Sequence, residues 1–247
     1  MENTQLVGLS RQVALRRELD VVANNLANIN TAGFKRHSVL FQEYMMPVAE
    51  SGAPYRMDRP VSYVRDRATM RDFSAGAIEQ TGNPYDVAIN GTGWFAIETA
   101  DGERYTRNGS FTVDNTGRLV THEGNPVVGD AGPIVVPANA TNVAIARDGS
   151  ISSDGENIGQ LRVVNFENEA DVLADQGTLF RSDAVPQPNL SPRVIQGAIE
   201  RSNVNGTLEV TRLIEVTRAY ESLARAMERT DQLRRSTIQR LGEIQSA

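Results

Sequence analysis

Leu213-Ile214-Glu215-Val216-Thr217-Arg218-Ala219-Tyr220-Glu221-Ser222-Leu223-Ala224-Arg225-Ala226-Met227 is the stretch on which the reading of the fold turns. Leu213, Val216, Tyr220, Leu223 and Met227 stand three and four residues apart, which sets them on one face of a helix. Leu241 and Ile244 resume that register after Thr230, Arg234 and Thr237. Between Thr207 and Ser246 there is no proline, and the only glycine is Gly242. Glu209–Arg212, Glu215–Arg218, Glu221–Arg225 and Asp231–Arg235 place acid before base at i+3 or i+4, the favourable order on a helix. As one helix the segment would run roughly 60 Å. So narrow an apolar face cannot bury itself on so long a rod, and it predicts a partner.

The opposite end of the chain carries a second such face. Leu15, Leu19, Val22, Leu26 and Ile29 repeat at 4-3-4-3 spacing, a seam of heptad type. Leu6, Leu9 and Val13 form an offset stripe nearer the start. Thr31-Ala32-Gly33 closes this helix, with Gly33 suited to the left-handed position beyond its end.

Between the two helices the period changes to two. Asp86-Val87-Ala88-Ile89-Asn90 and Trp94-Phe95-Ala96-Ile97 read as strands about the Gly91-Thr92-Gly93 turn. Asp101-Gly102 and Asn108-Gly109 are hairpin turns flanking Glu103-Arg104-Tyr105-Thr106. Ser110-Phe111-Thr112-Val113 and Arg118-Leu119-Val120-Thr121 follow, joined by a turn at Asp114-Asn115-Thr116-Gly117. These signals predict a central antiparallel β domain at 80–182. An extended connector (37–79) precedes it. A Pro-rich linker and lead-in (183–205) follows, stiffened by Pro186, Pro188 and Pro192.

The chemistry-bearing patterns fail on their surroundings. Gly91-Thr92-Gly93-Trp94-Phe95-Ala96 matches a dinucleotide fingerprint, but it runs into a strand where the phosphate site needs a helix N-terminus. Asp86, Asp101 and Asp114 stand at turns or strand edges, where Asp bonds its own backbone. Asp114-Asn115-Thr116-Gly117 lacks the later acidic ligands of a calcium loop. His37 and His122 lie far apart with no metal-ligand spacing, and there is no cysteine to ligate a metal or attack a substrate. No catalytic residue, metal or cofactor is expected.

Composition narrows the class further. The net charge of −6 conceals +2 on residues 1–36, +1 on 207–247 and −9 on the middle of the chain. An acidic middle argues against nucleic acid. Lys35 is the only lysine, and the remaining basic residues are all Arg. No run approaches the roughly 20 apolar residues of a membrane span, so membrane insertion is not expected. No apolar leader follows Glu2 either, so any export is expected to cleave nothing.

Ala23-Asn24-Asn25-Leu26-Ala27-Asn28-Ile29-Asn30-Thr31-Ala32-Gly33-Phe34-Lys35-Arg36 resembles the N-terminal motif of bacterial flagellar rod and hook proteins. Asn83 to Phe95, with Tyr105-Thr106-Arg107-Asn108-Gly109-Ser110-Phe111, resembles that family's β domain, although Tyr85 and Trp94 stand where Leu and Phe are more frequent. Gln196-Gly197-Ala198-Ile199-Glu200-Arg201-Ser202-Asn203-Val204-Asn205 resembles its lead-in to the C-terminal helix. Within the family, Met1–Arg17 and Tyr44-Met45-Met46-Pro47-Val48 are most similar to a proximal rod member, while a hook subunit would be much longer.

The resemblance implies an α+β fold: an N-terminal helical segment (1–36) and a C-terminal helix (206–247) pairing as a coiled coil, with the β domain outside. It implies a structural subunit that polymerises into the shaft carrying torque from motor to hook. Leu15, Leu19, Val22, Leu26, Ile29, Leu213, Val216, Tyr220, Leu223 and Met227 would form the assembly interface. The family motif would rest on Asn24, Asn25, Asn28, Asn30, Thr31, Gly33, Phe34 and Lys35, with the asparagines bonding within or between subunits. Phe41 and Met45 resemble the element read by the flagellar type III export apparatus. The implied partners are proximal and distal rod subunits, copies of the chain itself and that apparatus, with the rod crossing the periplasm. A coiled-coil oligomer displaying a β binding module and a hydrolase on a β scaffold are the competing readings.

Overall fold

Helix α1 runs Glu2–Ala27 and helix α2 runs Gly206–Ile244 in the computed structural model, which describes residues 2–46 and 61–244. Asn205 caps α2: its side-chain oxygen accepts from Leu208 N at 3.2 Å and its carbonyl from Glu209 N at 3.0 Å. Glu209 in the first turn opposes the positive end of the helix dipole. The chain divides into two units, one of residues 1–27, 37–72 and 205–247, the other of 28–36 and 73–204.

In the first unit, strands β1 (His37–Met46) and β2 (Val61–Arg71) join the two helices. They pair antiparallel from His37 opposite Arg71 to Met46 opposite Val61, with a register shift between Leu40 and Phe41. These strands occupy most of the described part of the segment read from sequence as an extended connector. Ala14, Val21 and Val22 of α1 and Val216 of α2 are buried.

The helices lie antiparallel. Gln5 reaches Asp231 (2.8 Å) near one end, and Asn25 reaches Glu209 (3.3 Å) near the other. The coiled coil expected of them is not shown, which corrects the sequence reading. Of the ten seam residues only Val22 and Val216 are buried, and Ile29 lies past the end of α1. The side-chain bonds between the helices are polar, Gln12 Nε2 to Tyr220 Oη (3.1 Å) and Arg212 Nε to Glu18 Oε1 (2.7 Å) among them. Helix α1 also packs on β1 and β2, so its apolar residues are divided between two neighbours and do not form one shared seam. The fold is α+β with two terminal helices and a central antiparallel β domain.

The second unit holds β3 (Ile78–Gln80), β4 (Val87–Ile89), β5 (Trp94–Thr99), β6 (Gly102–Thr106) and further short strands. A six-stranded antiparallel sheet runs in the order Val172–Ala174, Leu179–Ser182, β6, β5, Val163–Asn165, Gln187–Pro188. Trp94-Phe95-Ala96-Ile97 is buried throughout because both faces of β5 are covered. Phe95 and Ile97 enter one core with Phe111, Leu119 and Val127, while Trp94 and Ala96 enter another with Tyr105 and Phe180. Gly109 lets two strands meet: a side-chain carbon there would stand 1.6 Å from the Val87 carbonyl oxygen.

Candidate assembly site

Two constellations occupy the positions singled out in the sequence, one in each unit. In the helical unit Asn25 is 1% exposed and ties α1 to the start of β1. Its side-chain nitrogen donates to the His37 carbonyl and its oxygen accepts from the His37 N–H, each at 2.8 Å. The side chain thus bonds the strand as a neighbouring peptide group would. Its nitrogen also reaches Glu209 Oε2 at 3.3 Å, joining both helices and the hairpin through one amide.

His37 is the titratable member of this arrangement. Its Nε2 accepts from Arg71 Nε at 3.1 Å, which requires the neutral ring. Burial, reinforced by the Arg71 charge, pulls His37 down to about 4 from 6.5. The unfolded chain therefore binds the extra proton first as pH falls. The contribution of His37 is complete above about 6.5 and is lost as pH falls from there toward 4. Melting followed by helical circular dichroism should show a lower midpoint at pH 5 than at pH 7.5. His37→Gln should flatten that slope, since the carboxylates common to both proteins cancel in the comparison.

In the β unit the motif residues 28–36 fold onto the lead-in to α2. Asn28 Oδ1 accepts from Thr31 Oγ1 (3.1 Å), and Asn30 Oδ1 accepts from Arg201 (3.2 Å). Gly33 donates its N–H to the Glu200 carbonyl at 2.7 Å. Gly33 has φ +68, and a side-chain carbon there would stand 2.3 Å from the backbone nitrogen of Asn108. Its need is thus close approach as well as the left-handed turn. Asn203 Oδ1 accepts from Arg36 N (2.7 Å), and Phe34 is buried.

At the centre lies a buried ionic knot. Lys35 Nζ donates to Glu200 Oε1 (2.7 Å) and to the Ser74 carbonyl (2.8 Å). Glu200 Oε1 also accepts from Gly76 N (2.8 Å), and Oε2 pairs with Arg107 at 3.4 Å. Arg107 reaches the Gly91 carbonyl at 2.8 Å and lies 5.6 Å from the centre of the Trp94 ring. Lys35 and Glu200 are each 1% exposed. Burial pulls the Lys35 ammonium below its usual range, opposed by the Glu200 charge. Two cations share one carboxylate away from water, so the carboxylate is what makes both burials tolerable.

Sequence reasoning singled out Lys35 and missed Glu200, Arg107 and Glu209. All three stand inside or beside blocks carrying the family resemblance, which was the available signal. Asn24 is exposed. Leu15, Leu19, Leu26, Leu213, Tyr220, Leu223 and Met227 are half-buried. More exposed apolar side chains lie elsewhere: Leu6, Leu9 and Val13 are 50%, 51% and 61% exposed on one side of α1, and Val210 and Ile214 are exposed one turn apart on α2. A shallow groove of about 180 Å³ beside this row is lined by Gln5, Leu6, Leu9, Met227 and Asp231. Phe41 is 36% exposed in β1, whereas the side chain of Met45 lies outside the described residues, as do Pro47 and Val48.

Among the described residues no group of acidic or histidine side chains could hold a metal, and no helix is long and apolar enough to cross a membrane. Asp86 is buried and accepts from Thr81 Oγ1 (2.6 Å) and Asn83 Nδ2 (2.9 Å), holding its own turn. His122 is exposed.

Three family models match the chain. Residues 6–35 match the flagella basal body rod protein family, 88–153 the flagellar hook protein FlgE/F/G D1 domain, and 195–240 the flagellar basal body rod FlgEFG protein C-terminal family. The flagellar basal-body rod protein FlgF of Caulobacter vibrioides is 41% identical over 99% of this chain and 100% of its own length. FlgF of Mesorhizobium japonicum is 36% identical over 98% of this chain and 99% of its own. FlgF of Escherichia coli is 36% identical over 85% and 87%.

Proposed function

Given that this chain belongs to the flagellar basal-body rod family and is most like FlgF, we propose that it assembles through the apolar faces of its terminal helices. It is a structural subunit of the basal-body rod. The observation that supports the helical faces is the exposed row Leu6, Leu9 and Val13, with Val210 and Ile214 on α2. Exposed apolar rows of this kind mark contact with another protein.

Leu15, Leu19, Leu26, Ile29, Leu213, Tyr220, Leu223 and Met227 add half-buried surface that neighbouring subunits complete. The partners are other rod subunits and further copies of the chain, in a shaft crossing the periplasm that transmits torque to the hook. The chain reaches that place through the flagellar export apparatus, with Phe41 and Met45 as the candidate recognition element. The role needs no catalytic step, and the side-chain bonds of Asp86 are those of a structural acid.

Purified hook–basal bodies from cells carrying an epitope-tagged chain should contain it. Leu223→Asp should be secreted at normal level yet leave cells without hooks. Hooks built normally by Leu223→Asp would exclude the α2 face from assembly.

A further inference from the structure

We propose that a groove on the β unit, built around Arg147 and Arg193, receives the acidic turn at residues 167–171 of a second copy of the chain. The proposal rests on the reading of this protein as a polymerising subunit.

The groove encloses about 650 Å³, and Asn90, Ile145, Val194, Ile195 and Gln196 complete its lining with the two arginines. Its frame is pinned by main-chain and amide bonds. Val194 N donates to the Arg147 carbonyl (2.8 Å) and Asn90 N to the Arg193 carbonyl (2.7 Å). Gln196 bridges the neighbouring strand, accepting from Ile145 N (3.1 Å) and donating to the Val143 carbonyl (2.8 Å). The backbone is thus fixed while both arginine side chains stay exposed.

Arg147 and Arg193, like Arg181, stand apart from the paired arginines of the unit. In the same unit Arg104, Arg107, Arg118, Arg162 and Arg201 each pair with a carboxylate. Among the described residues neither Arg147 nor Arg193 makes an ion pair. Two guanidinium forks in one concavity match carboxylates at both of them.

The same chain presents the complementary charge. Glu169 and Asp171 are exposed on the short turn Glu169–Asp171, with Glu167 exposed just before it; the turn is capped by Asn168, whose side-chain oxygen accepts from Ala170 N at 3.1 Å. Among the described residues none of the three acids makes an ion pair. Groove and turn are different surfaces, so their union between copies is heterologous, the class of contact from which an open helical assembly such as a rod can be built.

The chain has no cysteine, so an engineered pair reports one contact. Arg193→Cys together with Asp171→Cys, expressed in the full chain in cells, should give disulfide-linked dimers in purified basal bodies, and either change alone should not. Arg147→Glu with Arg193→Glu should lower the incorporated chain at least tenfold, and adding Glu167→Arg with Asp171→Arg should restore it; Glu169 is left in place because its charge also acts on Lys35 and Arg107. A disulfide to a different protein would overturn the second copy as occupant. Normal incorporation of the charge-reversed chain without dimers would overturn the groove and leave the rod function standing. Absence of the wild-type chain from basal bodies would remove the reading beneath the proposal, and the proposal with it.

Discussion

Glu200→Ala is expected to cost ~3–5 kcal/mol of folding stability, because it leaves the buried Lys35 and Arg107 cations without their carboxylate. Against the ~5–15 kcal/mol that holds a typical protein together, that is a large share. The melting midpoint of a chain this size should fall by roughly 10 °C. Near-ultraviolet circular dichroism of the Trp94 environment would read the β unit directly. The control is Glu79→Ala, which breaks the Arg201 pair (3.3 Å) at half-exposed side chains, where the loss is under ~1 kcal/mol. Lys35→Met combined with Glu200→Ala should be less damaging than Glu200→Ala alone, since it removes one of the stranded charges. A Glu200→Ala midpoint within a degree of wild type would mean that the knot is not what its geometry implies.

Leu9→Asp has the opposite signature: an intact monomer and a failed assembly. Leu9 is 51% exposed between Leu6 and Val13, so the isolated chain loses only about half of a leucine's burial, roughly 1 kcal/mol, and the helix-propensity penalty is ~0.5 kcal/mol. In a packed interface the same carboxylate is desolvated at a cost of several kcal/mol, repeated at every subunit. The purified variant should melt within about 6 °C of wild type, while cells carrying it should lack hooks and spread no further in soft agar than non-flagellated cells. Because Leu9 lies near the N-terminus, secretion is measured alongside. Ile214→Asp supplies an independent check, being 48% exposed on α2 and far from that terminus. Hook formation at normal number with Leu9→Asp would remove this face from the assembly surface.

The terminal helices and the β domain were legible because their periods differ. Leu213 to Met227 repeats at three and four residues, while the stretch from Asp86 to Thr121 alternates between turns built on Gly, Asp and Asn. What covers a helical face is not written in its spacing. The same Leu15–Leu26 pattern serves a coiled coil or a helix shared between another helix and a hairpin, and here α1 is shared.

The pairing of β1 with β2 was hidden for a related reason. Val61-Ser62-Tyr63-Val64-Arg65-Asp66-Arg67-Ala68-Thr69-Met70-Arg71 mixes charge into its alternation, and a register shift at Leu40 breaks the period of its partner. The ionic knot was out of reach of any local rule, because Lys35, Arg107 and Glu200 come from three distant stretches. Only the family resemblance marked all three neighbourhoods.

Lys35 is the single lysine of the chain, and the fold seals its amine behind Glu200 and the Ser74 carbonyl. An amine-reactive reagent therefore meets a side-chain target only in molecules whose knot has opened. Counting acylated Lys35 by mass spectrometry turns this residue into a one-channel clock for opening of the β unit. It can be read in a crowded cell extract without a tag, because no other side chain of the protein answers to the same chemistry.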